Sequence, residues 1–283
     1  MPRTAASAPY PTRGVVLRSR PLGEKDRVMT ILSPERGKFA AVARGARGAK
    51  SNLAPVSQAF TLARFLVVHG RSLDIVTQAQ IENAHTHIAT DVLKTAWASY
   101  LCELCDTVPE QLPDEMLFEL LCVALSRIDV AEDTALVVET VGRWFEAHFM
   151  DLLGYAPTLG RCVACGEKIN IPATNTTQHL AFSPALGGTL CQSCGPRDPQ
   201  RLSLAVQSLR ALRRLERAAE PPAPEELALS TAARHDLRQC LRRCLFLRLE
   251  VKLKSLNFLD DVMAAQALHG NVVGADATGA NNV

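Results

Sequence analysis

The chain has 283 residues, 47% hydrophobic and 21% charged, which excludes disorder throughout and leaves room for two domains with substantial cores. The net charge of +2 conceals an asymmetry: residues 1–84 carry 13 Lys and Arg against 5 Asp and Glu, and the remainder carries 18 against 24. One end of the molecule is therefore suited to a polyanion, the plainer alternative being a solvated surface that is merely basic.

Residues 1–12 read as a flexible N-terminus. Met1 to Gly14 is rich in Pro and Ala with no continuous apolar stretch, and no later run approaches ~18 uncharged apolar residues. A cytoplasmic protein with no signal peptide and no membrane segment is expected. From 13 to 84 short β-rich runs alternate with turns: Val15–Leu17, Val28–Leu32, Lys38–Ala43, Phe60–Val68 and Leu73–Gln78. Five such strands in about 70 residues predict a small five-stranded barrel of the OB type.

Past Asn83 the apolar period becomes helical. Val92 to Cys105 and Met116 to Ile128 each place apolar residues three and four apart. A third helix begins after Asp133 as N-cap and ends at Gly154 and Pro157. Helices resume near Ser203 and Ser230 on either side of the linker Glu220–Glu225, and residues 264–283 read as a disordered tail. The expected class is α+β multidomain: an N-terminal OB-fold barrel, then a helical domain over 85–263 with an inserted zinc knuckle at about 160–197.

That insertion carries the sharpest signal. Cys162-Val163-Ala164-Cys165 and Cys191-Gln192-Ser193-Cys194 stand 25 residues apart, and two Cys-x-x-Cys turns closing on one ion give a tetrahedral sulfur cage suited to Zn²⁺, at ~2.3 Å per bond. Gly166 and Gly195 follow the second cysteine of each pair, where a tight turn needs tolerance of positive φ. The stretch Phe182–Gly188 reads as the turn that returns the chain. A thioredoxin-like redox pair and unliganded buried thiols are the alternatives. A filled cage leaves no open position, so one structural Zn²⁺ per chain is expected. The other five cysteines, Cys102, Cys105, Cys122, Cys240 and Cys244, sit among leucines at helical spacing and read as small core residues.

Arg44-Gly45-Ala46-Arg47-Gly48-Ala49-Lys50-Ser51 approaches a phosphate-binding P-loop but has Arg44 and Ala49 where the motif needs glycine, so ATP is not expected there. What remains is a loop with three cations and two glycines. With Arg18, Arg20, Lys25, Arg27, Arg36 and Lys38 it forms a candidate nucleic-acid surface; a solvated hairpin tip is the alternative. The barrel segment offers only Phe39, Phe60 and Phe65 for base stacking, and the last two read as core, so phosphate contacts should dominate. His85 and His87 flank a turn and are expected to face solvent. No catalytic set stands out, and an enzyme is not expected.

Taken together and in order, Gly14–Arg20, Gly23–Arg27, Glu35–Lys38, Ala43–Arg47 and Lys50-Ser51 resemble the barrel of the RecO family of bacterial recombination and repair proteins. Leu153–Leu159 resembles that family's entry to its cysteine knuckle, and Leu253-Lys254-Ser255 its closing helix. The resemblance covers about residues 13 to 260. It implies binding of single- and double-stranded DNA, annealing of complementary strands, engagement of the single-stranded-DNA-binding protein, and union with RecR to load RecA, in a nucleoid-associated protein of the cytoplasm. It also implies a partner contact on the helical domain, for which Arg234, Arg238, Arg242, Arg248 and Lys252, close to one helical face, are candidates, an ordinary solvated face being the alternative. A zinc-knuckle adaptor or RNA-binding factor that anneals nothing is the competing reading.

Overall fold

The computed structural model describes residues 8–110, 113–132, 134–173, 178–249 and 251–276. Two compact units emerge: residues 1–118, 128–134 and 253–283 form one, and 119–127 with 135–252 the other. The division does not follow the sequence boundary at 84/85, because the helix at 92–106 packs against the first barrel strand and the helix from 254 packs on it in turn.

In the first unit, β1 (Tyr10–Leu22), β2 (Asp26–Ser33), β3 (Gly37–Ala43), β4 (Leu62–Val68) and β5 (Asp74–Asn83) close into a barrel of order β1-β2-β3-β5-β4. Every pairing is antiparallel except β3 with β5. Alternate residues fill the interior, among them Val16, Met29, Ile31, Phe39, Ala41, Phe65, Val67 and Val76. Closure depends on the length of β1: Tyr10–Val15 pair with β4, Val15–Leu22 pair with β2, and a register shift between Val16 and Arg18 bends the strand from one partner to the other. A Cβ on Gly14 would sit 2.4 Å from Ile31 Cγ2, so only glycine lets the strands approach here. β1 thus starts inside the stretch read as flexible, and β5 runs five residues past Gln78. The β1 extension carries Pro11 and the β5 extension mixes Ala79 and Ile81 with Gln80, Glu82 and Asn83, and both are held by cross-strand pairing that no local pattern announces.

After α1 (Thr86–Thr90), α2 (Val92–Asp106) is capped by the Asp91 carboxylate, which accepts from Lys94 N at 2.9 Å, and buries Trp97, Tyr100, Leu101 and Leu104. α8 (Lys254–Asp276) packs on α2. Glu103 of α2 accepts from the backbone N–H groups of Lys254 at 3.0 Å and Ser255 at 2.7 Å and from the Ser255 hydroxyl, so one helix caps the next. Burial pushes the Glu103 carboxyl up, but these hydrogen bonds outweigh it and hold the group below its ordinary range. α8 continues through positions 264–276, which had read as tail; the rest of that tail lies outside the described residues.

α3 (Glu115–Asp129) contributes residues to both units. In the second unit, α4 (Thr134–Leu152) buries Val138, Val141, Trp144, Phe145 and Phe149, and the expected cap Asp133 lies outside the described residues. Trp144 Nε1 donates to the Ala218 carbonyl at 2.8 Å, and His148 Nε2 lies 2.9 Å from the same oxygen, fixing the end of α5 (Val206–Arg217). A three-stranded sheet of order β7-β6-β8 combines β6 (His179–Ser183), β7 (Gly188–Leu190) and β8 (Leu202–Ala205), with α6 (Pro224–Leu227) and α7 (Thr231–Leu249) following. Cys102, Cys105, Cys122, Cys240 and Cys244 are all buried, as their spacing indicated.

Burial, together with the Asp151 charge, pushes the Glu216 carboxyl up to about 7, against the pull of Arg213 and Arg217. A folded-state carboxyl above its unfolded value binds more protons in the folded state, so stability should fall as pH rises from about 4.5 to about 7. Glu216→Gln should flatten that part of the stability profile, as thermal unfolding against pH would record.

Candidate metal centre and nucleic-acid interface

The four sulfur atoms of Cys162, Cys165, Cys191 and Cys194 all lie within 4.8 Å of one another, and Cys165 Sγ is 3.7 Å from Cys191 Sγ. Local backbone bonds shape each pair. Gly166 N donates to Cys162 O and Gly195 N to Cys191 O, both at 2.8 Å, so each Cys-x-x-Cys turn folds back on its first cysteine. Gly166 has φ +79° as expected. Gly195 does not: it opens a 3₁₀ turn (Gly195–Arg197), and glycine is suited there because a Cβ would stand 3.0 Å from Ala181 Cβ.

The two turns meet because the β6–β7 hairpin returns the second under the first. Val163 N donates to Thr189 O and Thr189 N to Thr158 O, both at 3.0 Å. A Cβ on Gly188 would fall 2.4 Å from Val163 Cγ1, so this glycine sets how closely the turns approach. Cys162 and Cys191 are buried, Cys194 is half-buried and Cys165 is exposed.

The electrostatics of the cluster call for a cation. Burial opposes ionisation of Cys162, but backbone N–H groups of Cys191, Cys165 and Ala164 outweigh it and bring this thiol down to about 6. The Cys194 thiol is pushed up to about 12, first by its hydrogen bond to Cys191 and then by that to Cys165. Four thiolates packed within 4.8 Å of one another would repel strongly unless a cation sat among them. An all-sulfur set is the donor chemistry of soft or borderline ions. Sulfurs around a tetrahedral ion with bonds of ~2.3 Å stand ~3.8 Å apart, and the Cys165–Cys191 separation matches. The residues therefore fit a structural metal ion with every coordination position filled by protein.

On the barrel, the structure sorts the nine sequence-predicted cations. Arg20, Lys25, Arg44, Arg47 and Lys50 are exposed at one end, where two loops are tied together. Arg47 N donates to Lys25 O at 2.9 Å, the Asp26 carboxylate accepts from Gly45 N at 2.8 Å, and Arg47 Nη1 donates to Gly23 O at 2.6 Å. Arg27 lies beside them with its Nε on Ser19 Oγ, and Arg18 is exposed but paired with Asp106 at 2.8 Å. Arg36 is at the opposite end, over the Tyr10 ring at 4.0 Å.

Lys38 departs from expectation. It is only 7% exposed, with its ammonium on the Asp106 carboxylate at 3.2 Å and on the Asp106 carbonyl, so it is unavailable to a phosphate. The partner comes from α2, 68 residues away in sequence. The Asp26 carboxylate helps join the loops, and its place in sequence between Lys25 and Arg27 carries no signal of that.

The histidines also differ. His87 is exposed, but His85 is 1% exposed, in a left-handed backbone conformation, with Nδ1 2.8 Å from the Phe60 carbonyl. Phe39 and Phe65 are buried and Phe60 is half-buried, so no exposed phenylalanine offers a stacking platform among the described barrel residues. The Arg44–Lys50 loop leads into turns, and among the described residues no helix begins before Thr86, unlike a P-loop.

The α7 candidates spread out. Arg234, Arg238, Arg242 and Arg248 are half-buried: Arg238 lies on His235, and Arg248 stacks over Tyr155 at 4.9 Å while donating to Ala185 O at 3.0 Å. Lys252 is exposed beyond the helix end. Phe246, 69% exposed, and Leu247 project from the same last turns.

Family models match nearly the whole chain: Recombination protein O N terminal over residues 8–85 and Recombination protein O C terminal over 89–257. The chain belongs to the RecO family. It is 31% identical over 258 residues to the DNA repair protein RecO of Symbiobacterium thermophilum, covering 91% of this chain and 99% of the relative. The DNA repair protein RecO of a Roseiflexus species is 35% identical over 89% of this chain and 86% of its own, and that of Desulforudis audaxviator 34% over 88% and 96%. This family membership supports a role in repair and recombination for the OB-like barrel, helical domain and cysteine cluster described above. Among the described residues, no helix is long and apolar enough to cross a membrane.

Proposed function

We propose that the chain is a non-enzymatic mediator of repair and recombination, which binds single- and double-stranded DNA, anneals complementary strands and helps load the recombinase RecA, in concert with RecR, on DNA coated with single-stranded-DNA-binding protein. The observation that carries this reading is the tied basic corner: hydrogen bonds between the Gly23–Asp26 and Arg44–Lys50 loops hold four exposed cations, Lys25, Arg44, Arg47 and Lys50, at one end of the barrel, with exposed Arg20 of β1 beside them. Preorganised cations with no exposed phenylalanine beside them neutralise phosphates and leave bases free to pair. One Zn²⁺ per chain in the four-cysteine cage is structural in this reading, and the protein works in the cytoplasm at the nucleoid. The acidic tail of the coating protein suits the cations of α7, with exposed Phe246 and Leu247 available to its apolar residues.

The test is annealing of complementary oligonucleotides without ATP, naked and coated side by side, with intact and tailless coats. Annealing of both substrates, slower on tailless coats, is expected. Failure on both overturns the proposal and leaves an adaptor or RNA-binding factor; equal rates on the two coats overturn the α7 contact alone.

A further inference from the structure

Beyond residue 84 the chain is acidic as a whole, but residues 160–217 carry 8 Lys and Arg against 3 Asp and Glu. Arg210, Arg213, Arg214 and Arg217 recur at three- and four-residue spacing along α5, opposite the buried Leu209, Leu212 and Leu215. This row meets the metal knuckle: a Cβ on Gly160 would lie 3.3 Å from Arg213 Nη2, so the guanidinium rests against the residue preceding Arg161. Arg161 is in turn the antiparallel partner of Lys168, and both are exposed. Like charges directly opposite each other on paired strands are destabilising, a strain that an anion lying between them would relieve.

We propose that the back of the knuckle, with Arg161 and Lys168, and the arginine face of α5 form a second surface for a nucleic-acid phosphate backbone, distinct from the barrel's basic corner. Arginines one helical turn apart, about 5.4 Å, present repeated donors to a repeated anion, although Arg214 in this row is paired with the Glu226 carboxylate. A protein partner fits less well, because interface cores are depleted of charge, and the exposed side of α5 offers no apolar side chain. The inference rests on the reading of the chain as a DNA binder, and it adds a site on the other compact unit, where a second strand or a second stretch of the same strand can be held.

Amine-reactive labelling of the full metal-loaded chain, with and without a saturating single-stranded oligonucleotide, tests both statements separately. Slower labelling of Lys168 as well as Lys50 is expected. Protection of Lys50 with Lys168 unchanged overturns the second surface and leaves the barrel reading standing. Protection of neither, with no binding, overturns both. Arg161→Gln, Lys168→Gln and Arg217→Gln together, checked for unchanged metal content, should make log affinity against log salt shallower by about 2 for single strands, at about 0.7 per lost contact. An unchanged slope in that folded, metal-loaded variant also overturns the proposal.

Discussion

Cys191→Ala should remove the bound metal and unravel the segment from about Thr158 to Gly195, while the barrel keeps its strands. Apart from the pairing of β6 with β8 and the buried Phe182, the turns around the cage rest on a small cluster of Cys162, Leu190 and Cys191, with Val163, Ile169, Ala181 and Cys194 packed partly against it. Two of the three buried members, Cys162 and Cys191, would themselves be ligands. Structural zinc sites in isolated peptides contribute roughly 10–16 kcal/mol of apparent binding energy at neutral pH, far more than so small a cluster can supply by burial. The barrel belongs to a different compact unit and has a core of its own. Elemental analysis should give one metal ion per wild-type chain and none in the variant, and amide exchange should accelerate from Thr158 to Gly195 but not in β1–β5. A variant that holds no metal yet protects those amides as wild type does would refute the assignment.

Replacing Arg44, Arg47 and Lys50 together by Gln should weaken binding to single- and double-stranded DNA by similar factors. Each lost phosphate contact removes about 0.7 from the salt slope on single strands and about 0.9 on duplex, so the three remove about 2 to 3, or roughly 100-fold or more in affinity near 0.1 M salt. The loop should survive the change. Of its three ties to the neighbouring turn only Arg47 Nη1 to Gly23 O is lost, because Arg47 N to Lys25 O and Gly45 N to the Asp26 carboxylate use no substituted side chain. Lys38→Gln provides the contrast, because its ammonium is spent on Asp106 inside the unit. That variant should lose stability and keep its slope. Fluorescence anisotropy titrations from low to high salt measure both, and a triple variant with the wild-type slope would reduce the loop to a solvated tip.

The features legible in the sequence are those written in local spacing. The two Cys-x-x-Cys pairs, the turn at Phe182–Gly188, five β-rich runs, the helical stripes of α2 and α4 and the basic bias of the first 84 residues each need only a few neighbours to be read. Period and turn chemistry are short-range properties, so the OB-like barrel, the helical domain and the knuckle could be placed before any coordinates were known. Tertiary structure settled which of those residues share a surface. Antiparallel pairing with β4 carries β5 out to Asn83, and the bend in β1 recruits residues from Tyr10 onward. Asp106 takes Lys38 out of the basic surface, Asp26 ties two basic loops into one corner, and Arg213 comes to rest on Gly160 beside the metal site. Each of these depends on which partner a side chain meets after the chain has closed on itself. A cation facing a carboxylate from a distant helix and one facing water have the same local sequence signature, and only the fold distinguishes a paired charge from one free to hold a phosphate.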